Sequence, residues 1–375
     1  MNLKDFIGQT ASALGFQRAV VAALAPMEAE RQEFAEWLSR GYAAGMDYLK
    51  CNPHFRTSPQ FLYPGASSAI VVSASYYSEP PPDPGPRFGR VARYAVGRDY
   101  HAVLRAKLRE LKSRLEVNLG RPLLGKAYTD DVALFEQGFA RLYGLGFAGK
   151  NTLIIGPKLM GSYFFVAELF TDLELEADEP YQGTCGKCFR CGDVCPTGAI
   201  VSGGTLDAGR CISYLTIENK GGIPLEFRPL LGEWVFGCDL CQEVCPYNQR
   251  PPKTPWQEFQ PEAGVGHHLD LPALLQIETE DQFRARFANS PLRRPKRRGI
   301  LRNALIVIGN RRPDGVLPAL SKFACCEADP MLREHASWAI AQYRDNDARR
   351  ALATIYSQER EECVKVRVAQ YLDLW

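Results

Sequence analysis

Eight of the twelve cysteines fall between positions 185 and 245, and their spacing suits a metal cluster better than disulfides. Cys185, Cys188, Cys191 and Cys195 follow C-x2-C-x2-C-x3-C with Pro196 behind the last, and Cys238, Cys241 and Cys245 repeat the ending with Pro246. Thiolates so spaced hold cubane iron-sulfur clusters, three on one cluster and the fourth carried by its turn to the next. That crossing rule assigns Cys185, Cys188, Cys191 and Cys245 to one [4Fe-4S] cluster, and Cys195, Cys211, Cys238 and Cys241 to the other. Cys211 is the irregular member, because a long excursion to Cys238 replaces the usual two-residue gap. Zinc sites take two separated cysteine pairs and have no use for the extra cysteines or trailing prolines. Two adjacent clusters pass electrons singly, so an acceptor site is expected elsewhere in the chain.

The other chemically capable residues lie upstream and downstream. Asp130 and Asp131 follow a predicted strand, Lys126 to Thr129, and precede a predicted helix, Ala133 to Tyr143. One acid can cap that helix; the other is spare at a strand mouth, where α/β folds place chemistry. Gly144 to Asn151, GLGFAGKN, imitates two nucleotide motifs and fits neither. It follows a helix instead of a strand, and Asn151 stands where a phosphate-binding loop needs Ser or Thr. Its glycines mark a helix stop and a close backbone approach to something flat or bulky. Arg293, Arg294, Lys296, Arg297 and Arg298 form the sharpest charge run, a candidate phosphate contact or a solvated face.

The elements that must position these groups are legible in outline. Ala19 to Leu24 and Ala69 to Tyr77 read as strands, as does the apolar run after Gly161-Ser162, YFFVAELFTDL. Ala102 to Leu119 repeats apolar residues at helical spacing, with Asp99 as a candidate cap. Pro80 to Pro86 breaks regular structure. From Ile300 the text is helical, with LRNALIVIG and LREHASWAIA beginning 31 residues apart; it reads as two and a half stacked helix pairs of the HEAT kind. Cys51, Cys325, Cys326 and Cys363 read as small buried apolar residues. The chain of 375 residues is 46 % hydrophobic with a net charge of +2, enough for two or three domains and too balanced for a generally basic coat. Clustered thiols, an N-terminus without a signal-peptide core and no span-length apolar run lead to a cytoplasmic location and no membrane contact.

Several of these segments together resemble the epoxyqueuosine reductase family, cobalamin-dependent iron-sulfur enzymes related to reductive dehalogenases. The resemblance runs through Met46-Asp47-Tyr48-Leu49, Arg93-Tyr94-Ala95, Gly97-Arg98-Asp99-Tyr100-His101, Asp130 with Glu136, Gly149-Lys150-Asn151, Gly161-Ser162, the cluster cysteines, Cys211 to Thr216, and Gly237-Cys238-Asp239. It implies an α+β multi-domain protein. Residues 1–177 would form an α/β cobalamin-binding catalytic domain and 178–255 a ferredoxin-like two-cluster domain. Residues 256–299 would connect these to a HEAT-like helical repeat domain, 300–375. It further implies reduction of epoxyqueuosine to queuosine at the wobble position of tRNA by a monomer fed by an electron-donor protein or reductant. Base-off cobalamin and two [4Fe-4S] clusters would carry the electrons.

The family's catalytic acid falls on Asp130. Removing an epoxide oxygen as water takes two electrons and two protons, and a carboxylic acid that gives a proton near neutral pH must be desolvated. Asp131 and Ala133 depart from the family's small residue and proline. Arg56, Tyr94, Asn151, Ser162, Ser213 and Asp239 are the corrin-contact candidates beside Asp130, and the basic run gains a tRNA stem as its partner. Two other classes share parts of the pattern. A reductive dehalogenase of small organohalides commonly carries a twin-arginine signal and no basic helical tail, and a plain electron carrier leaves the first 170 residues unexplained.

Overall fold

A computed structural model describes residues 2–373, and the chain gathers into two compact units that interleave along the sequence. The first comprises the chain up to Glu79, Gly97–Gly209 and Asp239–Ala263; the second comprises Pro80–Val96, Arg210–Cys238 and the chain from Gly264 onward. Segment 178–255 is therefore shared: its two ends belong to the first unit and its middle to the second.

In the first unit, four strands form one sheet: β1 (Arg18–Ala23), β2 (Ser68–Ser75), β3 (Gly125–Tyr128) and β4 (Phe164–Thr171), in the order β1-β2-β4-β3. Every pairing is antiparallel. The strand-mouth rule taken from parallel α/β sheets therefore does not apply, and the sheet is α+β in character. Helices α1 (Leu3–Ala13), α2 (Glu28–Ser39), α3 (Tyr100–Leu119) and α4 (Glu136–Leu142) accompany it. In α3, Leu104, Leu108, Leu111 and Leu115 are fully buried, a stripe at helical spacing. Asp99 caps this helix by accepting from the His101 backbone N–H at 3.0 Å, and Gly120 ends it at φ +65°. The core on one sheet face joins Val71, Tyr128 and Phe170 to Leu134, Phe139 and Leu145.

One expectation for this unit needs correction. Helix α4 starts at Glu136, three residues late, and its N-cap Phe135 gives no side-chain cap, so neither Asp130 nor Asp131 caps it. Residues 129–135 form an irregular loop instead. Among the glycines from 144 to 149, Gly144 and Gly146 approach the chain's own backbone, and Gly149 approaches the side chains of Asn151 and Ile155. A Cβ on Gly144, at φ +83°, would lie 2.4 Å from the Glu179 carbonyl oxygen, and one on Gly146 would lie 2.3 Å from that of Ile155.

The second unit holds a three-stranded sheet, with Phe88–Val91 between the parallel Trp234–Phe236 and the antiparallel His268–Asp270. Its helices are α5 (Lys296–Arg311), α6 (Leu317–Cys326), α7 (Pro330–Ala341), α8 (Asn346–Gln358) and α9 (Glu362–Leu372), with α5 packed on α7 and α7 on α9. Helix α5 is buried along Gly299–Gly309 and explains the excursion between Cys211 and Cys238. Arg302, fully buried, donates to the carbonyls of Leu215, Asn219 and Gly221 at 2.6–2.7 Å. Asn303 donates to those of Thr216 and Val235 at 2.7 and 2.8 Å. Cys51, Cys325, Cys326 and Cys363 are exposed, contrary to the reading as buried apolar residues; in α6 the inward positions go to Leu320, Phe323 and Ala324. No helix among the described residues is long and apolar enough to cross a membrane.

Candidate functional site

The thiol site is built from two short helices of the first unit, Arg190–Val194 and Leu240–Glu243, that pack on one another. Each stops where a cysteine precedes a proline. Cys195 and Cys245 both adopt extended backbone (φ −70°, ψ 107° and 125°), because the proline ring excludes the helical region for the residue before it. The chain therefore turns sharply at these thiols. Cys185, Cys188, Cys191 and Cys245 line one cavity with about 370 Å³ of space, part of it open to solvent, together with Lys150, Asn151, Arg190 and Tyr247. Burial, and then neighbouring thiols, raise Cys191 and Cys245 above the usual thiol range. Uncharged thiols tolerate this proximity. Thiolates would repel one another there unless cationic iron compensates.

The donor set suits a cluster as well. The Lys150 backbone N–H reaches Cys185 Sγ at 3.5 Å, and Asn151 Nδ2 is buried on the cavity wall without a partner. Cluster sulfur accepts such hydrogen bonds, which tune its potential. Of the remaining cysteines, Cys195 and Cys241 belong to the first unit and Cys211 and Cys238 to the second. The Ala199 backbone N–H donates to Cys195 Sγ at 3.3 Å.

The acid site lies on the loop between β3 and α4. Asp130 is exposed, contrary to the desolvation expected of a proton donor near neutral pH, and sits at φ +50°, a left-handed conformation that aspartate tolerates better than most residues. Tyr100 Oη donates to Asp130 Oδ2 at 2.6 Å, and the Asp130 backbone N–H donates to Glu136 Oε1. Asp131 points elsewhere: it accepts from the Thr129 N–H at 3.1 Å and pairs with Arg105. The two adjacent acids thus separate into one charge-paired group and one held by a phenol. Behind them, burial first and the charge of Asp130 next push Glu136 up to about 8. Glu168 on β4 is fully buried, with neither carboxyl oxygen hydrogen-bonded. Burial, then Glu136, Asp130 and Asp131, drive it well above the usual carboxylate range.

The corrin-contact candidates fall into different settings. Ser162 and Asp239 lie in one buried polar network with Gln242 and Asn248. Ser162 Oγ donates to Gln242 Oε1 at 3.0 Å and accepts from Asn248 Nδ2 at 2.9 Å, while Gln242 Nε2 donates to Asp239 Oδ1 at 3.4 Å. Asn151 stands at the thiol cavity instead. Arg56 joins the acid loop through its carbonyl, which accepts from the Phe135 N–H at 2.7 Å. Its Nη2 donates to the Tyr48 carbonyl at 3.2 Å, its Nε is buried without a partner, and its neighbours Tyr48 and Phe55 are exposed aromatics. Tyr94 and Ser213 belong to the second unit, Tyr94 with its ring 5.9 Å from that of Phe236.

The basic run is divided by its own ion pairs. Arg294 pairs with Glu218 at 2.8 Å, Arg298 with Asp329, and the half-buried Arg297 with Glu327 at 2.6 Å. Arg293 and Lys296 are exposed and make no ion pair among the described residues.

Sequence reasoning gave no role to Tyr100, Lys150, Gln242, Asn248 or Glu168. Tyr100 and Lys150 stand in segments that carry the family resemblance, and Glu168 is the one acid inside the apolar strand FFVAELFT.

Residues 56–131 match the family model "Epoxyqueuosine reductase QueG, DUF1730", and residues 184–248 match "4Fe-4S double cluster binding domain". An epoxyqueuosine reductase of Pseudomonas aeruginosa is 39 % identical, covering 88 % of this chain and 91 % of its own. One of Escherichia coli is 37 % identical, covering 91 % and 89 %. Two solved structures superpose with TM-score 0.90 at 30 % identity, covering 99 % of this chain and 98 % of theirs. One is an epoxyqueuosine reductase with an epoxyqueuosine-modified tRNA-Tyr stem loop; the other, from Bacillus subtilis, has its aspartate-bearing catalytic loop swung out of the active site. The chain belongs to the epoxyqueuosine reductase family of oxidoreductases.

Proposed function

We propose that this protein reduces epoxyqueuosine to queuosine at the wobble position of tRNA, with electrons delivered through two [4Fe-4S] clusters and cobalamin and a proton given by Asp130. The observation that carries the reading is the cavity ringed by Cys185, Cys188, Cys191 and Cys245, which lies in the same compact unit as the acid loop of Asp130. The second cluster is assigned by the sequence crossing rule to Cys195, Cys211, Cys238 and Cys241.

Cobalamin, when bound, supplies a strongly reducing centre for opening the strained C–O bond. Arg56 suits such a group, since its unpartnered buried Nε and exposed aromatic neighbours await a large partner with hydrogen-bond acceptors. Ser162 and Asp239 would act as a rigid wall, because Gln242 and Asn248 already engage them. Tyr94, Asn151 and Ser213 complete the candidate contacts. Asp130 would meet the epoxide oxygen, and Tyr100 orients its carboxyl toward that task. The swung-out catalytic loop of the Bacillus subtilis relative supports this reading, since the Asp130 loop is likewise irregular and exposed.

The tRNA would be held partly by the basic run, for which Arg293 and Lys296 keep the most freedom. Stacked helix pairs α5–α9 would present a HEAT-like surface to that substrate. Protein reconstituted with iron, sulfide and cobalamin, given a strong reductant and epoxyqueuosine-bearing tRNA, should yield queuosine by nucleoside mass spectrometry. Unchanged epoxyqueuosine with all cofactors bound would reject the reading.

A further inference from the structure

Glu168 occupies a position where the fold asks for an apolar side chain. It stands opposite Val71 on β2 and Tyr128 on β3, so it shares their sheet face, on which Leu134, Phe139 and Phe170 also pack. A carboxyl buried there without a hydrogen bond is costly for stability in either protonation state, and far costlier when ionised. The groups around it offer no cation to offset the cost. Strand β2 carries no ionisable side chain; β3 sets Tyr128 opposite, and Lys126, on the same face, turns its amine over the Tyr128 ring at 5.1 Å. On α3, Arg105 is tied to Asp131 and His101 to Asp99; on α4, Arg141 is tied to Glu30. Helix α4, which opens with Glu136, packs against β4, and the charges that act on Glu168 are acidic: Glu136, then Asp130 and Asp131. A lone structural acid has no reason to sit beside three others, whereas a store of protons does.

We propose that Glu168 is the proton reservoir of the reduction, passing its proton over a bridging water to Glu136 and from there to Asp130. The inference rests on the functional reading above and deepens it. The chemistry calls for two protons at one oxygen. Asp130 gives the first as one C–O bond breaks and the epoxide oxygen becomes a hydroxyl. The second C–O bond then breaks, the carbon–carbon double bond forms, and the hydroxyl leaves as water with the second proton. The two electrons come from an external one-electron reductant through the clusters. Asp130 has one proton to give, so it must be recharged before the second C–O bond breaks. Glu136 is placed to do this, since its carboxyl already accepts the Asp130 N–H, and Glu168 lies behind it. Glu136 is half-buried as a residue, between the buried Glu168 and the exposed Asp130, so the pair refills through Asp130 between turnovers.

The test compares wild type with Glu168→Gln and Glu136→Gln, each near-isosteric with the neutral acid and unable to release a proton. Queuosine formation is followed from pH 6 to 9, with KM for tRNA, iron content and thermal stability measured in parallel. Infrared spectra at neutral pH provide a readout independent of turnover, the carbonyl stretch of a protonated carboxylic acid. Expected for both variants is a fall in kcat of at least tenfold at unchanged KM and iron content, with a flattened pH profile. Glu168→Gln should also remove one acid stretch and leave that of Glu136. Active wild type with a Glu168→Gln variant of equal kcat at every pH overturns the reservoir. So does a wild-type spectrum from which Glu168→Gln subtracts no acid stretch. Wild type that forms no queuosine overturns the functional reading itself, and the relay with it.

Discussion

Arg302→Met should weaken the second unit and empty one of the two cluster sites. The guanidinium lies fully buried on α5 and satisfies three carbonyls of segment 215–221, which runs between Cys211 and Cys238. Burial, and then the charge of Arg298, push it down to about 9, so it remains cationic at neutral pH and each bond is charge-assisted. Such bonds contribute about 1.5–3 kcal/mol each, while removing a buried charge returns several kcal/mol of desolvation cost. The net loss is about 3–5 kcal/mol, because methionine fills most of the volume but leaves the carbonyls unpaired. At roughly 2–4 °C per kcal/mol for a unit of this size, Tm should fall by about 10 °C. Iron after anaerobic reconstitution should drop from about eight toward about four per chain. Calorimetry and iron assay on the same sample check both. A Tm within about 2 °C of wild type with full iron would refute the claim that α5 holds the excursion in place.

Three further outcomes follow from named groups. Asp130→Asn should retain iron and cobalamin yet lower kcat by at least about 100-fold, the usual scale for losing a general acid; full turnover would remove Asp130 from the mechanism. His267 is held at about 4 by burial first and by Arg93 next, below its ordinary 6.5. The folded state therefore stays neutral while the unfolded state takes a proton, so stability falls as pH drops from about 6.5 to 4, by up to about 3 kcal/mol. His267→Gln should flatten that loss in denaturant melts, and an unaltered pH slope would contradict it. Reversing Arg293 and Lys296 to Glu should weaken binding of a tRNA anticodon stem loop and lower the salt slope by about 1–2. An unchanged slope in anisotropy titrations would remove the run from the interface.

The thiol site was the most legible part of the chain, because cluster ligation fixes spacing locally. The four thiols predicted for one cluster line one cavity, and the prolines at 196 and 246 act on the residues just before them. The strands and α3 were legible for the same reason: Leu104, Leu108, Leu111 and Leu115 repeat at helical spacing within one segment. What escaped depends on long-range packing. Nothing in the run between Lys126 and Glu136 announces that Asp130 takes a left-handed conformation and meets Tyr100 from another element. The excursion between Cys211 and Cys238 was opaque because its partners, Arg302 and Asn303, lie more than sixty residues downstream. In the basic run, charge pattern could not separate Arg297, which serves Glu327, from exposed Lys296. Glu168 was visible only as an anomaly in an apolar strand, and its meaning came from the acids that surround it.

The central claim is that eight thiols of this chain carry two cubane clusters that feed the reduction, one of them in the cavity of Cys185, Cys188, Cys191 and Cys245. The most direct measurement is iron and labile sulfide per chain after anaerobic reconstitution, for wild type and for Cys245→Ala. The account predicts about eight irons in wild type and about four in Cys245→Ala. Far fewer than eight in wild type, or no loss in the variant, would contradict it.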